Sequence, residues 1–214
     1  FSREDDGVYD VEVSIPPFNV RIGDVARVPE KTLHYLAAAD TPMRLSSEIV
    51  AVADAVIHSR DRAVLCVSNA VLFRGVGFEA RLREEMVRTG RLRAVLALPD
   101  GTFLPYASVH TSLVVVGSEL ISEPVVRMVD LAADPFSTST ARGRRELRAD
   151  VPWRDLLWSH AVDDTLPVVD VPLETIEENK FVLTVDRYLA TPAAVALRAF
   201  LARTRTEDLK ALAE

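Results

Sequence analysis

Short apolar runs rich in β-branched residues recur through the middle of the chain and predict the strands of a sheet. Three of them, at residues 64–67, 95–98 and 113–116, are bounded by turn residues, which is typical of strands buried on both faces. A helical pattern separates the first run from the second, and only a polar turn separates the second from the third. This order of elements predicts half of an open sheet in an α/β fold.

The predicted helix between the first two runs carries its apolar residues on one stripe. Phe78, Leu82 and Met86 recur at every fourth residue. Gly90 follows in the position of a C-cap glycine, because glycine tolerates the left-handed conformation that ends many helices. The helix is therefore expected to end just before Gly90.

Weaker patterns predict the elements on either side of this unit. Residues 9–14 alternate apolar and polar side chains, as a strand does, and two prolines end the run. Ser46 or Ser47 is a suitable N-cap for a helix that ends near residue 59. Further expected elements are a short helix within 30–39, a strand at 125–129, a short helix within 151–161 and C-terminal helices at about 192–204 and from 206 onward.

The composition is that of a globular protein that can bury a core. Of the 214 residues, 49% are hydrophobic and 27% are charged, and no apolar run reaches the roughly 20 residues that a membrane span needs. The single cysteine, Cys66, excludes an internal disulfide and favours a reducing cytoplasm, and its place in a predicted strand indicates a core residue. The chain starts at Phe1, without a methionine, in an acidic stretch, so we expect a fragment or a processed chain.

The charge of the chain restricts how it could contact nucleic acid. A formal net charge of −7 argues against a protein that coats DNA without sequence preference, so any contact must come from a local patch or a partner. The best candidate is the stretch 137–149, in which the single acid Glu146 is opposed by a set of arginines, namely Arg142, Arg144, Arg145 and Arg148. The alternative is that this stretch is only a solvated loop.

Other kinds of site find little support. The four histidines lie singly and cysteine pairs are absent, so no metal site is expected, and His58 is interpreted as a solvated cation at a helix end. No Gly-x-Ser-x-Gly element indicates a serine hydrolase. A loop is expected at residues 69–77, between the first strand and the helix. Gly75, Gly77 and Ala80 fit the pattern Gly-x-Gly-x-x-Ala, but residues 69–74 separate them from the strand, whereas a dinucleotide site needs its first glycine at the strand end.

Several stretches match the motifs of one family. Asp10-Val11 is followed by Ile15-Pro16-Pro17-Phe18, and residues 69–75 read Asn-Ala-Val-Leu-Phe-Arg-Gly. Similar motifs occur at residues 92–103, 111–116, 178–183 and 187–189. Together these stretches resemble the N-6 adenine-specific DNA methylase family, which includes the modification subunits of type I restriction–modification systems.

The resemblance implies a fold and an activity. The fold would be a partial Rossmann-like methyltransferase sheet, comprising strands four to seven of the family, with a C-terminal helical extension. These strands would lie near residues 8–14, 63–68, 92–98 and 112–117, the last antiparallel to the others. The activity of the family is S-adenosylmethionine-dependent methylation of adenine N6 in DNA.

The resemblance also implies the site. Ile15, Pro16, Pro17 and Phe18 occupy the position of the family's Asn-Pro-Pro-Phe loop, which holds an adenine flipped out of the duplex. In the intact enzymes the first side chain accepts a hydrogen bond from the adenine amine, and the aromatic ring stacks on the base. Ile15 has no acceptor, and Ser14 lies one residue away on the other face of the strand, so the loop is degenerate at its first position.

The half of the family domain that carries the glycine-rich S-adenosylmethionine loop has no counterpart in this sequence. We therefore expect no cofactor binding and no methylation by this chain alone. Two hypotheses remain: a fragment of a methyltransferase-like protein, and an inactive module that binds DNA or a subunit. DNA and a specificity or restriction subunit are the expected partners. The expected division is 1–133 for the methyltransferase-like half, 134–165 for an arginine-containing extension and 166–214 for a C-terminal segment with helices.

Overall fold

A six-stranded sheet forms the centre of the molecule. The computed structural model describes residues 9–23, 27–36, 45–117, 124–140, 144–158 and 166–189. The sheet has the order β1-β2-β4-β3-β5-β8, and β6 and β7 form a separate hairpin. The strands are β1 (Tyr9–Ser14), β2 (Ser59–Ser68), β3 (Leu92–Ala97), β4 (Thr111–Gly117), β5 (Val125–Asp130), β6 (Ser137–Ser139), β7 (Arg145–Leu147) and β8 (Val168–Pro172).

Four of the six strands run in one direction. β1 pairs in parallel with β2, and β3 pairs in parallel with β5. β4 is antiparallel to both β2 and β3, between which it lies, and β8 is antiparallel to β5. The prediction of four strands with the last antiparallel is confirmed, and β1, β2, β3 and β5 present their carboxyl ends at the same edge.

Six α-helices accompany the sheet in the described part of the chain. They are α1 (Glu30–Tyr35), α2 (Ser47–His58), α3 (Asn69–Phe73), α4 (Phe78–Arg88), α5 (Trp153–Trp158) and α6 (Leu173–Glu178), and a 3₁₀ turn follows at Val185–Arg187. Ser46 caps α2, as predicted, by accepting a hydrogen bond from the amide of Ile49. Gly90 follows α4 with φ of +61°, which confirms its predicted role. The predicted C-terminal helices lie outside the described residues.

The described helices are too short or too polar to cross a membrane.

The sheet separates two apolar clusters. Along β2, Ala63, Leu65 and Val67 belong to the cluster beneath α2 and α4, whereas Val64 and Cys66 belong to the cluster on the opposite face. This alternation is the two-residue period of a strand buried on both sides. Cys66 is buried, in agreement with its interpretation as a core residue.

β1 is an edge strand with an uncovered apolar face. In register, Val13 lies beside Val64, so the odd-numbered residues of β1 share the face of the second cluster. Val11, Val13 and Ile15 are nevertheless 54%, 76% and 63% exposed. No strand that the structure describes pairs with the outer side of β1. Edge strands with exposed apolar side chains are templates for association, so this surface is suited to a partner.

Two local expectations need correction. His58 is buried, and its Nδ1 lies 3.0 Å from Asp54 Oδ1, so it is not a solvated cation. The reason is that α2 passes directly into β2 at Ser59 without an exposed loop. The loop expected at residues 69–77 begins with α3, because Val71 and Leu72 turn into the core.

Candidate functional site

The chain leaves β1 through residues 15–19, called here the motif loop. Pro16 is buried and Ile15 is exposed, and Asn19 closes the loop with φ of +56°. Asparagine tolerates this left-handed conformation better than most residues. Because β1 and β2 are parallel neighbours, the loop lies beside the carboxyl end of β2, which is where open α/β sheets bind ligands.

The first turn of α2 fixes the motif loop. The Ser47 hydroxyl donates to the carbonyl of Pro17 at 2.6 Å, and the carbonyl of Val20 lies 3.2 Å from the same oxygen. The Glu48 carboxylate accepts a hydrogen bond from the amide of Asn19 at 2.8 Å. The loop is therefore bonded to α2 through both its carbonyl and its amide groups.

A second loop meets the motif loop through an aromatic contact. The rings of Phe18 and Phe103 lie edge to face, with centroids 5.1 Å apart and an interplanar angle of 72°. Phe103 belongs to the connection between β3 and β4, where Tyr106 and Ala107 donate amide hydrogen bonds back to its carbonyl. Such pairs add roughly 0.5–1.5 kcal/mol beyond the burial of their area. The two rings form an apolar wall at the edge of the sheet.

A polar pocket of about 240 Å³ lies beside the motif loop. It is smaller than the roughly 300–1,000 Å³ of pockets that enclose a drug-sized ligand. Its charged members are two acids and two arginines, so neither sign of charge dominates. An ion pair of 3.2 Å joins Arg74 to Glu79. The lining residues are Asn19, Arg21, Ser46, Glu48, Ser68, Ala70, Val71, Arg74 and Glu79.

The wall formed by α3 and α4 is held by one buried guanidinium. Arg83 is fully buried and donates to the carbonyls of Val71, Arg74 and Phe181 at 2.6, 2.6 and 2.7 Å. Burial lowers the pKa of Arg83 to about 10, which leaves it protonated at neutral pH. Arg83 thereby joins the pocket wall to the C-terminal segment that resembled the family.

Comparison with known proteins decides the family. A family model described as N-6 DNA Methylase matches residues 2–195 of the chain. The chain belongs to the N-6 DNA methylase family.

Solved structures similar to this member of the N-6 DNA methylase family share its fold. The methyltransferase subunit of the type I restriction–modification system from Streptococcus thermophilus has a TM-score of 0.69 and 14% identity, over 88% of this chain and 40% of that chain. A chain from a structure of the type I R-M system has a TM-score of 0.63 and 20% identity, over 98% of this chain and 45% of that chain. The chain thus spans less than half the length of these two proteins. No curated protein matches it in sequence.

The methylase-motif residues and the predicted arginines follow different strands of the sheet. The arginines that the structure describes lie at or next to the β6–β7 hairpin, which follows β5. β5 is four strand positions from β1, or about 19 Å. Arg145 bonds to Asp134, and Arg148 makes two bonds to Asp150 at 2.9 and 2.7 Å. Arg144 is exposed, and Arg142 lies outside the described residues, so the DNA-contact prediction stays a prediction.

Three residues that shape this site could not be assigned to it from the sequence pattern. In the sequence, Ser47 and Glu48 are recognisable only as residues of a helix N-terminus. Phe103 is recognisable only as part of a family motif. A carboxylate in the first turn of a helix is ordinary, so local spacing gives no signal that Glu48 reaches another loop. The one sequence signal for Phe103 is the family motif at residues 92–103, which ends on it.

Proposed function

We propose that this chain is the C-terminal half of an N6-adenine DNA methyltransferase-like domain of a restriction–modification system. The observation that carries the proposal is the place of the motif loop, at the carboxyl ends of two parallel strands and against an aromatic partner. A base swung out of DNA needs such a site, because its faces must be covered by apolar or aromatic groups once it leaves the stack. Phe18, with Phe103 beside it, is suited to that contact.

The uncovered edge of the sheet supports the idea that a second segment completes the domain. The exposed face of β1 carries valine and isoleucine, and its outer backbone groups face no strand among the described residues. A strand added in this position would pair with β1, and helices attached to it would cover Val11 and Val13. Such a completing segment, in the same polypeptide or a separate one, would bring the cofactor-binding half.

The residues that the structure describes do not by themselves fit S-adenosylmethionine, the cofactor of the family. The exposed side chains on the open face of β1 and at the start of the motif loop include Val11, Val13 and Ile15, which offer no partner for ribose hydroxyls or an amino-acid group. The nearby pocket is smaller than a typical cofactor site. We therefore assign to this chain the base-contacting wall and derive no methyl-transfer step from it.

Ile15 favours a second candidate function, a module that binds DNA or a partner subunit without methylating. In the family loop the side chain at this position accepts a hydrogen bond from the amine of adenine. An exposed isoleucine cannot do so, and an amine left without an acceptor is poorly oriented for methyl transfer.

One experiment separates these candidates. The chain is produced together with the polypeptide encoded immediately upstream of Phe1, and tritium transfer from labelled S-adenosylmethionine to duplex DNA is measured for the wild type and for Ile15→Asn. We expect slow transfer by the wild type and at least tenfold faster transfer by Ile15→Asn. If neither transfers label but the assembly binds DNA, the inactive module is correct.

Base contact is tested with the chain alone. The probe is a duplex containing one bulged, unpaired adenine, compared with the same duplex without the bulge, since an unpaired base costs little to extrude. We expect tighter binding of the bulged duplex and loss of that preference in Phe18→Ala. Equal affinity of the wild type for both duplexes would overturn the proposed function.

A further inference from the structure

Glu48 is a buried carboxylate that is bonded to backbone amides. It is 1% exposed, and no ion pair joins it to a lysine, arginine or histidine that the structure describes. Oε2 accepts from the amide of Asn19 at 2.8 Å, and Oε1 accepts from the amide of Ser68 at 2.6 Å. Two accepting oxygens are the pattern of an ionised carboxylate, and the N-terminal turn of α2 favours that charge.

The two amides belong to two different chain segments. Asn19 ends the motif loop after β1, and Ser68 is the last residue of β2. Glu48 therefore spans the gap between the carboxyl ends of two parallel strands. Charge-assisted hydrogen bonds are stronger than neutral ones, and a buried carboxylate deprived of either amide would be left poorly solvated. The two hydrogen bonds to Glu48 therefore hold the motif loop and the end of β2 at one distance from each other.

Ser47 and Glu48 bond to the motif loop on opposite sides of Phe18. Ser47 bonds to the carbonyl of Pro17, before Phe18, and Glu48 bonds to the amide of Asn19, after it. Phe18 is thus fixed on both sides by consecutive residues of one helix turn. Its ring in turn meets Phe103.

We propose that Glu48 is a positioning residue that sets the orientation of Phe18 for base contact by tying the motif loop to the end of β2. This inference rests on the proposed function. Glu48 lies on α2, outside the motif loop. It touches no base and acts through the backbone of the motif loop.

The first test needs no ligand. Amide hydrogen exchange is compared in the wild-type chain, in Glu48→Gln and in the control Glu79→Gln, which removes an acid from the same pocket without touching the loop. We expect the amides of Asn19 and Ser68 to exchange at least tenfold faster in Glu48→Gln and to be unchanged in the control. Unchanged exchange at both amides in Glu48→Gln would overturn the inference.

The second test asks whether Glu48 acts through Phe18. Affinity for the bulged-adenine duplex, relative to the paired duplex, is measured for Glu48→Gln, Phe18→Ala and the double variant. We expect each single change to remove most of the preference and the double variant to lose no more than Phe18→Ala. Additive losses, or a loss of affinity for both duplexes alike, would overturn the inference.

The two tests keep this inference distinct from the proposed function. If the wild-type chain shows no preference for the bulged duplex, the proposed function fails. If amide exchange is nevertheless accelerated in Glu48→Gln, the conclusion that Glu48 fixes the motif loop is kept. If Glu48→Gln does not fold, as judged by urea unfolding, Glu48→Asp makes the same test. That variant keeps the charge but is one methylene too short to reach both amides.

Discussion

At the scale of single residues, Gly77 occupies a conformation that other amino acids avoid. Its φ of +88° and ψ of −158° precede α4, and an added Cβ would lie 3.3 Å from Glu79 Oε2. We expect Gly77→Ala to lower the free energy of unfolding by about 1–3 kcal/mol. Gly75→Ala is the control, since nothing lies within 4 Å of its added Cβ, and it should change stability by less than about 1 kcal/mol. Urea denaturation measures both, and equal effects would contradict the prediction.

Cys66 gives a residue-scale prediction that depends on pH. Burial raises the pKa of its thiol from 9.0 to about 11, and the negative charge of Glu48 acts in the same direction. The folded protein therefore keeps the thiol neutral where the unfolded chain ionises it, so this contribution to stability is complete below pH 9.0 and is lost as pH rises towards 11.

A thiol reagent measures this difference. At about pH 9, we expect Cys66 to react slowly in the folded chain and rapidly in urea. Cys66→Ala should weaken the fall in stability between pH 9.0 and about 11. Rapid modification of the folded chain would show that the thiol is accessible and ionised.

At the scale of elements, Arg83 connects α4 with α3 and with the segment after α6. The change Arg83→Met removes the donors to three carbonyl groups. Methionine still fills part of the space with an unbranched side chain. We expect the free energy of unfolding to fall by at least about 1 kcal/mol, because a buried acceptor left without its donor, here the carbonyl of Val71, costs about 1–3 kcal/mol. The part-buried carbonyls of Arg74 and Phe181 lose their donor as well. Arg81→Met, on an exposed position of the same helix, should cost less than about 0.5 kcal/mol. Similar unfolding midpoints for the two variants would refute this role of Arg83.

The arginines near the β6–β7 hairpin give a second prediction at this scale. We expect duplex affinity at low salt to fall when Arg142, Arg144, Arg145 and Arg148 are all changed to alanine. The salt slope should decrease by about 0.9 for each DNA phosphate that these arginines no longer neutralise. Because Asp134 and Asp150 already engage Arg145 and Arg148, the single change Arg144→Ala, at an exposed position, should lower the affinity more than Arg145→Ala or Arg148→Ala does. An identical slope for wild type and quadruple variant would identify the stretch as a solvated loop.

At the scale of the whole molecule, the open edge of the sheet predicts what the isolated chain cannot bind. The exposed face of β1 carries Val11 and Val13, and the nearby pocket is small for a cofactor. We expect calorimetry to detect no affinity of the isolated chain for S-adenosylmethionine tighter than about 1 mM, or some −4 kcal/mol. Micromolar binding would mean that the chain by itself forms a complete cofactor site.

Much of the fold follows from local pattern. The runs that became β2, β3 and β4, the stripe of α4 and the cap at Ser46 all express the side-chain period of one element or the bonding of one helix end. Such features depend on residues a few positions apart, so the sequence predicts them. The family motifs added the antiparallel direction of β4, which no local pattern contains.

Features that depend on distant partners were missed. β8 lies in an acidic, proline-punctuated stretch and becomes a strand because it pairs with β5, where Arg127 makes two hydrogen bonds of 2.8 and 2.7 Å to Asp170. The strands of the β6–β7 hairpin are only three residues each, too short to show a period. Pairing energy, rather than intrinsic preference, decides such elements.

The sequence by itself determined the α/β class, the order of the main strands along the chain and the place of the Ile15-Pro16-Pro17-Phe18 loop after the first of them. Only the tertiary structure decided which groups surround that loop. Glu48 is 29 residues from Asn19 and 20 from Ser68, and Phe103 is farther still from Phe18. Their meeting depends on parallel strands that deliver distant segments to one edge of the sheet. Hydrophobic periodicity specifies which face of an element is buried, but the contacts at that edge arise only when the whole sheet has assembled.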